Sequence, residues 1–150
     1  MDTTALWIAI VLLAVVAIIA LFRPRRSYQV ELVNIHRKRN HLKPLQAYYP
    51  LDRFAKDHSR YMARRRDCSH DRFGIRSAKV MKVTRSDLVG ENCYMYPSES
   101  YCSEIDVRLV EGWMESPEHR ANILNPKYSK IGIGVVVKEK CVYATQIFCS

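Results

Sequence analysis

The chain has 150 residues, with 24 Lys and Arg against 15 Asp and Glu, for a formal charge of +9. That length is enough for one anchor segment plus one compact domain. The excess of base would suit nucleic acid, but there is no zinc-finger spacing, no aromatic RNP-like run and no Gly-rich phosphate loop, so nucleic acid is not an expected partner.

The stretch "ALWIAIVLLAVVAIIALF", residues 5–22, holds no charge. As a helix it would run about 27 Å, close to the hydrocarbon thickness of a bilayer. A cleaved signal peptide is the alternative. The preceding "MDTT" lacks Lys and Arg, and Ala17 to Ala20 makes a poor small-x-small cleavage site, so a retained transmembrane anchor is the better reading. Every Lys and Arg follows this segment, beginning with "RPRR" at 23–26. The positive-inside rule would place that run on the cytoplasmic side, and anionic headgroups would attract it. The expected division is an anchor with a basic juxtamembrane segment over residues 1–26 and a folded domain over 27–150.

In the domain, "YQVELVNIHRKRNHLKPL" sets Val30, Leu32, Val33 and Ile35 around a basic face and predicts a helix ending before Pro44. "LDRFAKDHSRYMARRR" repeats the device with Leu51, Phe54, Ala55, His58, Tyr61 and Met62 on one side. The runs at 37–39 and 64–66 read as solvated helix faces, and the arginines at 64–66 suit a helix C-terminus. Residues 67–100 show no sustained period and contain Gly74, Gly90 and Pro97, which predicts a long irregular connection. "SEIDVRLVEGWME", 103–115, returns to helical spacing through Ile105, Leu109 and Trp113. Ser116 as cap and Pro117 at the first position start a short helix to about Leu124, which Asn125-Pro126 ends. "KIGIGVVVKEKCVYATQIFCS" predicts a hairpin around Lys138-Glu139-Lys140. Together these elements give a mixed α/β layer structure.

Five cysteines, at 68, 93, 102, 141 and 149, leave at least one without an intrachain partner. No C-x-x-C occurs, which argues against a zinc ribbon or a redox pair. Two disulfides would suit an oxidising compartment and free thiols a reducing one.

Three polar pieces stand out: "CSHD" around His70, "GENCYMY" around Glu91 and "SPEHRANIL" around His119. Two imidazoles and a carboxylate, if brought together, suit a divalent metal such as zinc, with the carboxylate either ligating or orienting an imidazole from behind. Spacing alone equally allows a loop histidine, a turn cap and a surface histidine. His58, on the apolar side of its helix, reads as a packed core histidine. His36 and His41 read as surface residues, and Tyr94, Met95 and Tyr96 as loop packing.

The ordered set "LVNIHRKRNHLKPL", "LDRFAKDHSRYMA", "SH", "GEN", "GWMESPEHRANILNPKYSKIGIGV" and "YATQIF" resembles the CAP superfamily. These are the SCP-type domains shared by cysteine-rich secretory proteins, antigen 5 and class 1 plant pathogenesis-related proteins. The likeness spans residues 29–149 and is greatest to the short microbial branch. It implies an α-β-α three-layer sandwich with a small central antiparallel sheet and an open cleft holding two histidines and two acids, sometimes with a divalent metal. Matched by motif, these fall on His70, Glu91 and His119. Larger members carry W-x-x-E where Ser116 stands here. Glu115 is adjacent, but one residue along a helix turns a side chain by about 100°, so a three-residue site with Glu115 at its rim is expected. Gly90 is expected to allow a turn, Asn92 to hold the loop by hydrogen bonds, and Gln146 either to face the cleft or to pair within the sheet.

The resemblance favours a non-enzymatic module, tethered through residues 5–22, whose cleft takes a metal and a lipid, glycan or protein ligand. A metal-dependent hydrolase using His70, His119 and Glu91, with Glu91 as base, is the alternative. A thiol enzyme based on Cys68 or Cys93 ranks last. Relatives are mostly secreted or extracellular, which sets the resemblance against the charge rule. An extracytoplasmic domain is the expectation.

Overall fold

The computed structural model describes residues 6–14, 25–98 and 104–150. In the apolar stretch, residues 6–14 form helix α1, and Leu6, Trp7, Ile8 and Leu13 are exposed. Among the described residues no helix is long and apolar enough to cross a membrane. The rest of the expected span, residue 5 and residues 15–22, lies outside the described residues.

The domain runs α2 (Arg25–Arg39), β1 (Gln46–Ala47), α3 (Tyr49–Arg65), α4 (Phe73–Thr84), β2 (Val89–Pro97), α5 (Ile105–Glu115), α6 (Pro117–Ile123), β3 (Lys130–Lys138) and β4 (Cys141–Cys149). The strands form one sheet in the order β1-β3-β4-β2. β3 and β4 make the expected hairpin, turning at Glu139 and Lys140, both at positive φ. Paired left-handed turn residues match the twist of a tight hairpin. The sheet is antiparallel except at one edge, where β1 runs parallel to β3 over two residue pairs as the chain passes between α2 and α3.

Alternation along β3 and β4 makes the three layers. Ile131, Ile133, Val142, Ala144 and Phe148 pack with Val30 and Val33 of α2, Leu109 and Trp113 of α5 and Ile123 of α6. The opposite face takes α3 and α4 through Leu51, Ala55 and Val80 against Ile147 and Cys149, and through Met62 and Ala63 against Cys93 and Tyr143. On that face β3 presents glycines. A Cβ on Gly132 would lie 2.3 Å from Leu51 Cβ, and one on Gly134 only 2.1 Å from the backbone nitrogen of Lys56. α3 therefore lies directly on the strand, and Ser59 Oγ donates to the Gly134 carbonyl at 2.9 Å.

Two expectations are corrected. Residues 67–100 are not an irregular connection, because they hold α4 and β2. Ile75 and Val83 are exposed on α4, and only Val80 of that helix is fully buried, so its apolar residues do not fall into one stripe. β2 carries Glu91 and Asn92 at buried positions, which breaks the apolar alternation that would mark a strand. The basic run at 37–39 is solvated only at Lys38 and Arg39. Arg37 is 1% exposed. Its guanidinium donates to the carbonyls of Lys43 (2.8 Å), Ile123 (2.7 Å) and Asn125 (2.9 Å). Arg37 thereby satisfies carbonyls at the end of α6, where a cation also suits the helix dipole. His36 is half-buried and His41 exposed.

The close seat of α3 yields a contrast. Gly134→Ala should destabilise the fold by about 2–3 kcal/mol, as overpacking against backbone does. Gly74→Ala, with nothing within 4 Å of the new Cβ, should be neutral or stabilising by up to about 1 kcal/mol. Urea unfolding of both variants measures the difference.

Candidate functional site

β2 pairs with β4 on one side and is the last strand of the sheet. An open strand edge leaves backbone groups to be satisfied from elsewhere, and here α6 supplies the partner. Asn122 Nδ2 donates to the Glu91 backbone carbonyl at 3.3 Å and to Asn92 Oδ1 at 2.9 Å. Asn92 Nδ2 in turn donates to the His119 carbonyl and to Gln146 Oε1, both at 3.0 Å. α6 is thus stitched along the strand edge, which puts His119 beside it. Pro117 occupies the first helical turn, and Ser116, extended at ψ 123°, accepts from the His119 N–H over a long 3.5 Å.

Alternation sends Glu91 and Cys93 towards α3 and α4, while Asn92 faces the α6 side. The Glu91 side chain is 1% exposed. Arg76, on α4, donates through Nε to Oε2 at 2.6 Å and through Nη2 to Oε1 at 2.7 Å, a bidentate pair. His70 Nδ1 donates to Oε1 at 2.9 Å. Its other ring nitrogen, Nε2, keeps the lone pair when the ring is neutral. His58 Nε2 lies 3.9 Å from the same oxygen and donates to the Ser69 carbonyl at 2.7 Å.

The electrostatics follow from these contacts. Burial works to raise the Glu91 pKa, but the hydrogen bonds from His70 and Arg76, with the Arg76 charge, bring it below the ordinary carboxylate value. Burial lowers the His58 pKa, against the opposing pull of Glu91. Burial also lowers that of His119, and nearby His70 adds to the shift. The Cys93 thiol is pushed far up by burial and by the Glu91 charge, and Cys68, at the surface, is also raised, chiefly by desolvation. Neither thiol has the lowered pKa of an activated nucleophile.

Of the residues singled out in the sequence, His70 and Glu91 are in direct contact, and His119 stands on α6, its backbone carbonyl bonded to Asn92 of β2. Glu115 is placed elsewhere. It is exposed on α5 and lines a groove with Tyr94, Glu104, Arg108 and Glu111, as the rotation along the helix requires. Asn92 and Gln146 are fully buried and bonded to each other, so they hold the site together and do not line it. Gly90 makes no turn. It lies within β2, where only a glycine leaves room for the Tyr128 hydroxyl, 2.2 Å from where a Cβ would stand. Sequence reasoning missed Arg76 and the proximity of His58 and Cys93 to Glu91. An arginine five residues past the "CSHD" piece, on an unrecognised helix, carried no signal.

The donor set accommodates a divalent metal only in part. His58, Glu91 and Cys93 can each bring one ligand atom within 4.8 Å of the others, a group that could hold a metal. A guanidinium already covers both Glu91 oxygens, however, and the Cys93 thiol is buried against Oε1 at 3.6 Å. The buried Nδ1 atoms of His58 and His119 have no hydrogen-bond partner.

A mixed sheet between two helical layers, with histidines and a buried glutamate gathered at its edge, defines an SCP-type domain. The family described as "CAP: Cysteine-rich secretory protein family" matches residues 30–149, and the chain belongs to it. It is 31% identical over 114 residues to the uncharacterized protein YkwD of Bacillus subtilis, which covers 71% of this chain and 40% of that protein. A solved extracellular protein containing a SCP domain from Bacillus anthracis matches at 27% identity with a TM-score of 0.66, covering 83% of this chain and 40% of that one. The chain thus spans two-fifths of the length of each. NaASP2, solved with Zn2+, shares the fold at 12% identity and a TM-score of 0.54, over 71% of this chain and 60% of its own.

The buried titrating groups fix how stability depends on pH. His58 and His119 have folded pKa values below the unfolded 6.5. The unfolded chain therefore binds more protons, and stability is lost as pH falls below about 6.5. Glu91, depressed from 4.5, adds a further loss at lower pH. Thermal melts should fall steadily from pH 7.5 to 5, and His58→Gln should flatten the upper part of that slope. Each proton taken up contributes at most about 1.4 kcal/mol per pH unit.

Proposed function

We propose that this chain is a membrane-tethered CAP module whose cleft binds a ligand without turning it over. The observation that carries this reading is the state of Glu91. Its carboxylate is buried, held ionised and covered on both oxygens by Arg76 and His70. A general base must be free to take a proton from water at a reacting centre. A carboxylate locked in a bidentate ion pair is a poor base and a good structural anchor.

A divalent metal, where bound, is held by the His70 and His119 rings. Glu91 takes the part of the carboxylate that fixes the ring orientation of a ligating histidine from behind. The zinc in the NaASP2 structure supports zinc as the first ion to try. Two imidazoles fall short of the three protein ligands usual at a catalytic zinc site. That shortfall also favours a binding role, in which the ion, with coordination positions to spare, presents a Lewis acid to a lipid, glycan or protein ligand.

The uncharged run at 5–22 supports a tether, and the arginines after it support contact with anionic headgroups. The extracellular description of the Bacillus anthracis relative supports an extracytoplasmic domain.

Two experiments test the proposal. Zn2+ titration of the full chain in detergent micelles should show binding that is lost in the His70→Ala, His119→Ala double variant; unchanged affinity would remove the metal reading. Cys68 is exposed, so a membrane-impermeant maleimide should label it on intact cells. Labelling only after lysis would put the domain on the cytoplasmic side.

A further inference from the structure

We infer that the end of the domain formed by the β3–β4 turn and the C-terminus of α3 is a docking face for anionic phospholipid headgroups, which fixes how the domain sits on the membrane. The directions of the elements place this end. Late in α2, Arg37 donates to the carbonyls of Asn125 and Tyr128, just before β3 begins. In the second turn of α2, Gln29 bonds Asp106 at 2.6 Å and shares a groove with Ile133 and Val135. α2 therefore runs opposite to β3, and its start lies towards the β3–β4 turn. α3 runs along β3 in the same direction, from Leu51 against Gly132 to Arg66, which meets Glu139 of the turn at 2.6 Å. The start of α2, the last turn of α3 and the hairpin turn thus share one end of the domain.

That end is basic and is held close to the proposed tether. Arg64, Arg65, Arg66, Lys138 and Lys140 are all exposed there. The acids at this end are Glu139, already shared between Arg66 and Lys138, with Asp67 and Glu104. Only Arg23 and Pro24 separate Phe22, the last residue of the uncharged run, from Arg25 at the start of α2. Even fully extended, that connection reaches about 11 Å. Exposed charges act over about 10 Å at 0.1 M salt, so the basic end stays within reach of the headgroups. The opposite end carries Lys38, Arg39, Lys43 and Lys127, also exposed, but lies about 30 Å away along the length of β3. Charge alone does not choose the face; the short connection does. The inference rests on the membrane tether proposed above, and the test separates the two.

The full chain would be reconstituted into phosphatidylcholine vesicles, without and with phosphatidylglycerol, and amide hydrogen exchange followed over residues 136–142. Two quadruple variants would be compared with the wild type. One carries Arg64→Gln, Arg65→Gln, Lys138→Gln and Lys140→Gln, with Arg66 kept because it pairs with Glu139. The other carries Lys38→Gln, Arg39→Gln, Lys43→Gln and Lys127→Gln. In the wild type and the second variant, exchange at the turn should be at least about fivefold slower on the anionic vesicles, the gain from one basic side chain at an anionic surface. The first variant should show no difference between vesicles, and about 0.5 M NaCl should abolish the effect wherever it occurs. Equal exchange of the wild type on both vesicles would overturn the inference whether or not the variants fold. So would an equal loss in both variants, which would mark attraction of the whole basic chain. Flotation of the same samples isolates the tether. A wild type that floats with neutral vesicles in high salt, yet shows no protection of the turn, would keep the tether and discard the docking face. A chain that floats only with anionic vesicles, and only while the residues of the first variant are intact, would do the reverse.

Discussion

A carboxylate removed from water stays ionised only when hydrogen bonds and opposite charge replace its hydration. Glu91 meets that condition through three donated hydrogen bonds from Arg76 and His70. Those partners come from different parts of the chain. His70 lies in the segment after α3, Arg76 on α4 and Glu91 on β2. One buried ion pair therefore pins a loop, a helix and an edge strand to one another. Breaking such a pair from one side leaves an uncompensated buried charge, which is far more destabilising than never having built it.

The position of β2 at the edge of the sheet explains the rest of the site. Glu91 faces the α3–α4 layer, whereas His119 belongs to the layer on the other side. In the middle of a sheet the two would be screened by neighbouring strands. At the edge, Asn122 closes the open strand carbonyl and Asn92 holds the α6 backbone, so α6 is seated directly against β2.

Much of this was legible in the sequence, and the limits have physical causes. Helices with one apolar stripe, α2, α3 and α5, announce themselves by spacing, and the "IGIGV" run with its following turn announces the hairpin. The motif likeness singled out His70 and Glu91, which the fold puts in direct contact, and the short-helix reading gave α6, on which His119 stands. α4 escaped because Ile75 and Val83 are apolar but exposed. β2 escaped because its central residues are polar and are buried only by virtue of partners from elsewhere. Arg37 and Arg76 look like ordinary surface charges in the sequence. What buries them is a set of carbonyls in one case and a carboxylate in the other, each brought close only by the tertiary fold. Polar residues whose burial depends on distant partners carry no local periodic signal.

The central claim is that Glu91 is a buried counter-charge to Arg76, ionised at neutral pH, and not a free acid or base. Following the 13C carboxyl resonance of Glu91 through an acid titration tests it most directly. The account predicts that this carboxyl protonates below the ordinary glutamate range, together with the onset of acid unfolding. Protonation at or above the ordinary value of about 4.3, in a chain that remains folded, would contradict it.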